Sequence, residues 1–273
     1  MASNSPIGAF DSGMGGLTVV KELMQQLPGE RIIYYGDTAR VPYGDKSKET
    51  VAGYARQITD FLVSKGVKAI IVACNTVSAL ALEDLKAEFD LPIIGVVKPG
   101  AKAAAEATRT GRIGVIATRA TITSGIYEAF LHRTNPGIRV YARACPLFVP
   151  LVEEGWIDDE ITDMIIHRYL DEIVSDGIDS LVLGCTHYPL LKERIQKAVG
   201  SGITLVNPAF ESSREFKYVL EENGLLCPPA DSGASQPAHE FYVSDGAARF
   251  RGFAEQILGA PLPEASVSLH PFE

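Results

Sequence analysis

The sequence predicts an α/β fold: mostly parallel sheets flanked by helices, built as two similar lobes. Three observations carry this reading. Short apolar runs alternate with longer amphipathic stretches through most of the 273 residues, the pattern of βαβ units. The run Ala69-Ile70-Ile71-Val72-Ala73 is apolar throughout, as a parallel strand covered on both faces must be. Two segments also recur at nearly the same offset. Ile7-Gly8-Ala9-Phe10-Asp11-Ser12-Gly13 resembles Ile113-Gly114-Val115-Ile116-Ala117-Thr118-Arg119, and Ile70-Ile71-Val72-Ala73-Cys74-Asn75-Thr76 resembles Ser180-Leu181-Val182-Leu183-Gly184-Cys185-Thr186.

Taken in order, strands are predicted at 6–10, 31–35, 68–73, 92–96, 112–117, 138–142, 180–183 and 203–206. A helix is predicted at 47–65, where Val51, Ala55, Ile58 and Leu62 recur at helical spacing. Another is predicted at 158–174, with Ile161, Ile165, Tyr169 and Ile173 on one face. The repeat ends the first lobe near Val97 and the second, 98–206, near Val206. Beyond it lie a helix at 212–222, a Pro/Ser/Gly-rich loop at 227–237, and a last strand and helix.

Composition narrows the function. With 46% hydrophobic and 22% charged residues the chain buries a real core, which excludes extensive disorder. A net charge of −9 argues against a nucleic-acid surface. The first ten residues lack the basic and apolar regions of a signal peptide. No apolar run approaches the ~20 residues of a membrane helix. The four cysteines make no CxxC pair, so neither a disulfide scaffold nor a metal site is expected. A soluble, cytoplasmic protein is expected.

Familiar motifs fail. Thr18 stands where GxGxxG needs glycine, and HExxH, GxSxG and the phosphate-loop GK[ST] do not occur. What remains is a set of polar clusters at the predicted carboxyl ends of strands: Asp11-Ser12-Gly13, Gly36-Asp37-Thr38, Cys74-Asn75-Thr76, 118–124 and Cys185-Thr186-His187. Ligands of open α/β sheets bind there. Ser12, Thr76, Thr121 and Thr186 are expected to cap the following helices, leaving N–H groups for an anionic ligand. Cys145 and Cys227 read as small buried hydrophobes, and Asp11 and Asp37 read equally well as helix caps. Cys74 and Cys185 differ, because each follows an apolar strand and precedes capping-type residues. His187, two positions past Cys185, faces the same way in an extended chain and can take or stabilise the thiol proton. Two thiols on opposite lobes suit inversion of a carbon centre, with a base on one face and an acid on the other. A thiol hydrolase needs only one.

These segments resemble the glutamate racemase family. The resemblance rests on 10–17 (Phe10 to Leu17), 35–44 (Tyr35 to Gly44), Ala73-Cys74-Asn75-Thr76, Pro146 to Trp156, and Gly184-Cys185-Thr186-His187-Tyr188-Pro189-Leu190-Leu191. Asn207-Pro208-Ala209-Phe210 departs from the Ser-containing version expected there. The resemblance implies interconversion of L- and D-glutamate without a cofactor or metal, supplying D-glutamate for peptidoglycan. It implies a cleft between the lobes, with 207–273 returning to the first lobe, 1–97. Cys74 would take the α-proton of D-glutamate, assisted by Asp11, and Cys185 that of L-glutamate, assisted by His187 and Glu153. Asp11, Ser12, Tyr43, Gly44, Asn75, Thr76, Thr118, Thr121, Thr186 and His187 match substrate-holding positions. A homodimer is expected. A racemase of another acidic amino acid such as aspartate, and a non-catalytic amino-acid-binding relative, are the alternatives.

Overall fold

The structure is a computed structural model that describes residues 4–228 and 237–272. Most of the predicted loop at 227–237 and the first three residues therefore lie outside the described residues. All eight predicted strands up to residue 206 form: β1 (Ile7–Asp11), β2 (Ile32–Gly36), β3 (Ile70–Val72), β4 (Ile93–Gly95), β5 (Arg112–Ala117), β6 (Arg139–Ala144), β7 (Ser180–Gly184) and β8 (Thr204–Val206). The expected last strand is β9 (Glu240–Val243), followed by a helix, Ala247–Leu258. A further strand, β10 (Val267–Leu269), was not expected; it is a short, half-exposed edge strand without an apolar run.

These strands form two sheets. One has the order β10-β9-β2-β1-β3-β4 and the other β6-β5-β7-β8. Every pairing is parallel. The second sheet repeats the order β2-β1-β3-β4 of the first. The two sequence echoes thus fall on β1 and β5, and on β3 and β7, which hold equivalent places.

Alternation along each strand builds a core on both faces. From β1 and β2, Ile7, Ala9, Ile32 and Tyr34 pack with Phe216 and Phe250 on one face. Phe10, Ile33 and Tyr35 pack with Ile58 and Leu62 on the other. In the second sheet, Ile116, Leu181 and Leu183 face Phe148 and Ile166, while Ile113, Val115 and Val182 face Ala101 and Leu131.

Helix boundaries follow local chemistry. The helix Lys48–Ser64 starts after Ser47, whose Oγ accepts from Thr50 N at 3.3 Å. The helix predicted at 158–174 is Glu160–Ser175, capped by Asp159, whose Oδ1 accepts from Ile161 N at 2.7 Å. It starts late because Trp156–Asp158 forms a 3₁₀ turn first. The Asn207 side chain caps the helix Pro208–Glu222 by accepting from Ala209 N at 3.1 Å, so the departure at 207–210 still starts a helix. The chain leaves the first sheet between β4 and the helix Val97–Ala107, and returns to it between β8 and Pro208–Glu222. The two crossings touch: a Cβ on Gly100 would lie 2.9 Å from Pro208 Cγ. Among the described residues no helix is long and apolar enough to cross a membrane.

An ion pair with both side chains buried lies inside the first lobe. Lys68 Nζ sits 2.7 Å from Glu30 Oε2, both side chains almost fully buried, and Glu30 Oε1 accepts from Cys227 N at 2.7 Å. Removing one member strands its partner's charge away from water. Lys68→Met is expected to destabilise the fold by about 3–5 kcal/mol in urea denaturation, whereas removing the exposed pair of Arg56 and Glu88 costs under about 1 kcal/mol.

Candidate active site

Cys74 and Cys185 hold equivalent positions. Cys74 follows β3 as the residue before the helix Asn75–Leu80; Cys185 follows β7 directly. Both thiols are buried, and both line one cavity of about 380 Å³. Ser12, Tyr43, Gly44, Asn75, Thr76, Thr118, Thr186 and His187 share that lining, together with Glu153. Asp11 and Thr121 stand behind the wall.

The two thiols have different escorts. Cys74 Sγ donates to Ser12 Oγ at 3.5 Å. Behind it Asp11 is fully buried; its Oδ2 accepts from Gly13 N at 3.1 Å and Gly16 N at 3.0 Å, while Oδ1 has no partner. Burial raises the Asp11 carboxyl above its usual range, against the opposing charge of His187 and these N–H donors. Burial, reinforced by the Asp11 charge, pushes the Cys74 thiol up to about 12.

Around Cys185 the chain is longer. Its Sγ lies 3.8 Å from His187 Nδ1, and His187 Nε2 lies 3.0 Å from Glu153 Oε1. Burial opposes charging the imidazole, but the hydrogen bonds and negative charges of Cys185 and Glu153 outweigh it, raising His187 to about 10. As an imidazolium His187 donates from both nitrogens. Burial likewise opposes ionising Glu153, yet the bond and charge of His187, with Arg249, hold it below the usual carboxylate range.

Hydroxyls and amides line the space between. Thr76 Oγ1 lies 3.0 Å from Thr118 Oγ1 and 3.4 Å from Thr121 Oγ1, and Thr118 lies 3.0 Å from Thr121. This cluster joins β3 to β5 across the cleft. Asn75 Oδ1 accepts from Tyr127 Oη at 2.7 Å, which fixes its amide orientation. Tyr43 is anchored from behind: its hydroxyl donates to Asp37, which also takes Arg40 Nε at 2.6 Å and Ser244 Oγ at 2.8 Å. The cluster at 36–38 thus supports the wall rather than forming it.

Glycines bring the lobes together. A Cβ on Gly15 would lie 2.5 Å from both His187 Nδ1 and Thr186 Oγ1, and one on Gly44 2.8 Å from Thr118 Cβ. Thr18 Oγ1 donates to the Thr186 carbonyl at 3.0 Å.

The capping expectation fails for Ser12, Thr76, Thr121 and Thr186. Gly16, Cys74, Thr118 and His187 stand at those helix starts, and of these only the Thr118 side chain caps, accepting from Thr121 N. The hydroxyls of Ser12, Thr76 and Thr186 instead line the cavity. The sequence reading also missed Arg119 and Asp45 at the lining, 3.8 Å apart and both mostly exposed. An arginine inside the 118–124 cluster, directly after Thr118, was the signal that could have found the first of them.

The Asp/Glu/Hydantoin racemase family model matches residues 14–210, most of the chain. The chain belongs to that family. The match includes both thiols and begins just past Asp11 and Ser12. The glutamate racemase of Geobacter metallireducens is 49% identical over 94% of this chain and 93% of its own length. A glutamate racemase from Bacillus anthracis superposes with a TM-score of 0.93 at 38% identity, covering 99% of this chain and 98% of that one. One from Francisella tularensis, solved in complex with D-glutamate, gives 0.88 at 41% identity over 98% of each chain.

The raised His187 makes stability depend on pH with a definite sign. Its free side chain titrates near 6.5 and its folded form near 10. The stabilisation from charging it is therefore complete below about pH 6.5 and is lost as pH rises through 10. Urea denaturation across pH 7–10.5 is expected to show a steeper loss for the wild type than for His187→Gln. Equal slopes would mean that His187 is not an imidazolium in the folded chain.

Proposed function

We propose that the protein is a cofactor-independent racemase that interconverts L- and D-glutamate by proton transfer between the α-carbon and two thiols. The observation that carries this reading is the placement of Cys74 and Cys185, from equivalent strands of two sheets, on one cavity with unequal polar escorts. The relatives named as glutamate racemases, and the D-glutamate in one of them, point to the substrate.

For L-glutamate, the Cys185 sulfur faces an imidazolium and is the thiol better set to act as base. It takes the α-proton, and the electron pair of the broken C–H bond stays on the α-carbon, spreading into the α-carboxylate. Cys74, held protonated by burial and by Asp11, gives its proton to the opposite face. The product is D-glutamate, with Cys74 now the thiolate and Cys185 the thiol. From D-glutamate the roles reverse. Ser12, Asn75, Thr76, Thr118 and Thr186 would hold the carboxylates through neutral donors, with Tyr43, Gly44 and Thr121 shaping and bracing that wall.

In this reading the lobes are 1–97 with 207–273, and 98–206. The enzyme is cytoplasmic and homodimeric, and it supplies D-glutamate for peptidoglycan.

The test is incubation of the purified protein with L-glutamate in deuterated water, without pyridoxal phosphate. Loss of the α-proton signal together with decay of optical rotation to zero is expected; turnover of aspartate well above glutamate would overturn the substrate. Cys74→Ser and Cys185→Ser are each expected to lose most turnover, by at least about 100-fold, while still binding glutamate. Near-wild-type turnover in either would remove the two-thiol mechanism. Gly15→Ala, which pushes on His187, is expected to cost about 10- to 100-fold in kcat with the fold intact.

A further inference from the structure

Arg249 lies outside the cavity that holds both thiols, yet it reaches the group that supports one of them. Its Nη2 is 3.8 Å from Glu153 Oε2, 3.4 Å from the Glu153 carbonyl and 3.2 Å from Glu154 Oε1. Glu153 uses its other oxygen, Oε1, on His187. The carboxylate therefore stands between two cations, one on each side.

The placement is costly by local rules. Arg249 sits in the first turn of the helix Ala247–Leu258, which has no acidic residue there, and a cation at a helix N-terminus opposes the dipole. A tertiary contact must favour it. The two ends of the contact also belong to different scaffolds. Phe250, Ala254 and Ile257 fix the Arg249 helix to the first sheet, while Phe148, Leu151 and Val152 fix the short helix ending at Glu153 to the second. A small second cavity of about 140 Å³ is lined by both residues, and Glu153 also lines the thiols' cavity.

We propose that Arg249 is a positioning residue: it acts across the cleft, holding the Glu153 side chain turned toward His187, and so sets up Cys185 and not Cys74. The inference rests on the two-thiol reading above. The groups facing Glu153 are His187, Arg249 and its neighbour Glu154, with Asp245 on the wall of the second cavity. Of these, Arg249 and His187 favour the ionised carboxylate. Without Arg249 the Glu153 carboxyl rises, so the acid limb of kcat/KM moves to higher pH.

Arg249 is more than half exposed, so Arg249→Ala leaves the fold in place, and a loss of about threefold to tenfold in kcat/KM is expected. Because the enantiomers have equal free energy, that loss is the same in both directions. The isotope effects are not. C–H cleavage belongs to the Cys185 step for L-glutamate and to the Cys74 step for D-glutamate. Raising the Cys185 barrier increases the α-deuterium effect on kcat/KM for L-glutamate and decreases it for D-glutamate. Arg249→Lys, which keeps the charge, is expected to restore most of the wild-type pattern. Unchanged isotope effects, or changes of the same sign for both enantiomers, would overturn the role of Arg249. A wild type that exchanges no α-proton would instead overturn the racemase reading beneath it.

Discussion

A buried imidazole needs a polar partner at each ring nitrogen, and the arrangement of His187 shows how much structure that demand fixes. One nitrogen needs Cys185, supplied by the end of β7; the other needs Glu153, supplied by the end of a separate helix. The ring is closed in from the first lobe by Gly15, where no side chain would fit. The neighbouring Thr186 is tied across by Thr18. Moving Glu153 would take away the carboxylate that faces the buried ring. The chain of Cys185, His187 and Glu153 thus belongs wholly to the second lobe, and the first lobe meets it through neutral contacts at Gly15 and Thr18.

The repeat of the fold is not a repeat of the chemistry. β3 and β7 are equivalent, and each delivers a cysteine at the same place. Around Cys74 the chain provides a buried carboxyl and a serine; around Cys185 it provides a cation and a second carboxylate. The first setting keeps a proton on sulfur, and the second sets the thiol against a buried imidazole. A symmetric scaffold thus gives two residues of the same type unequal neighbours.

The strands and both thiols were legible in the sequence because their signals are local. An apolar run ending in a polar cluster marks the carboxyl end of a parallel strand wherever it occurs. Even the equivalence of β1 with β5 and of β3 with β7 could be read from short echoes. What escaped depends on contacts between distant segments. Which hydroxyl caps a helix and which faces the cavity turns on a shift of one to four residues in where the helix starts, and so Thr118 took the role expected of Thr121. Arg119 and Arg249 look like ordinary surface cations until the fold sets them opposite Asp45 and Glu153. β10 escaped because an exposed edge strand of three residues has no core-facing pattern to reveal it.

The two places where the chain passes between the sheets lie side by side, with Gly100 against Pro208. A single tether would let one lobe swivel freely over the other. Two adjacent tethers act as a pair of hinge pins: rotation about the line joining them stays soft, while twisting and sliding strain both at once. Of the relative motions open to the two sheets, the paired tethers therefore leave a turn about that single line the least resisted.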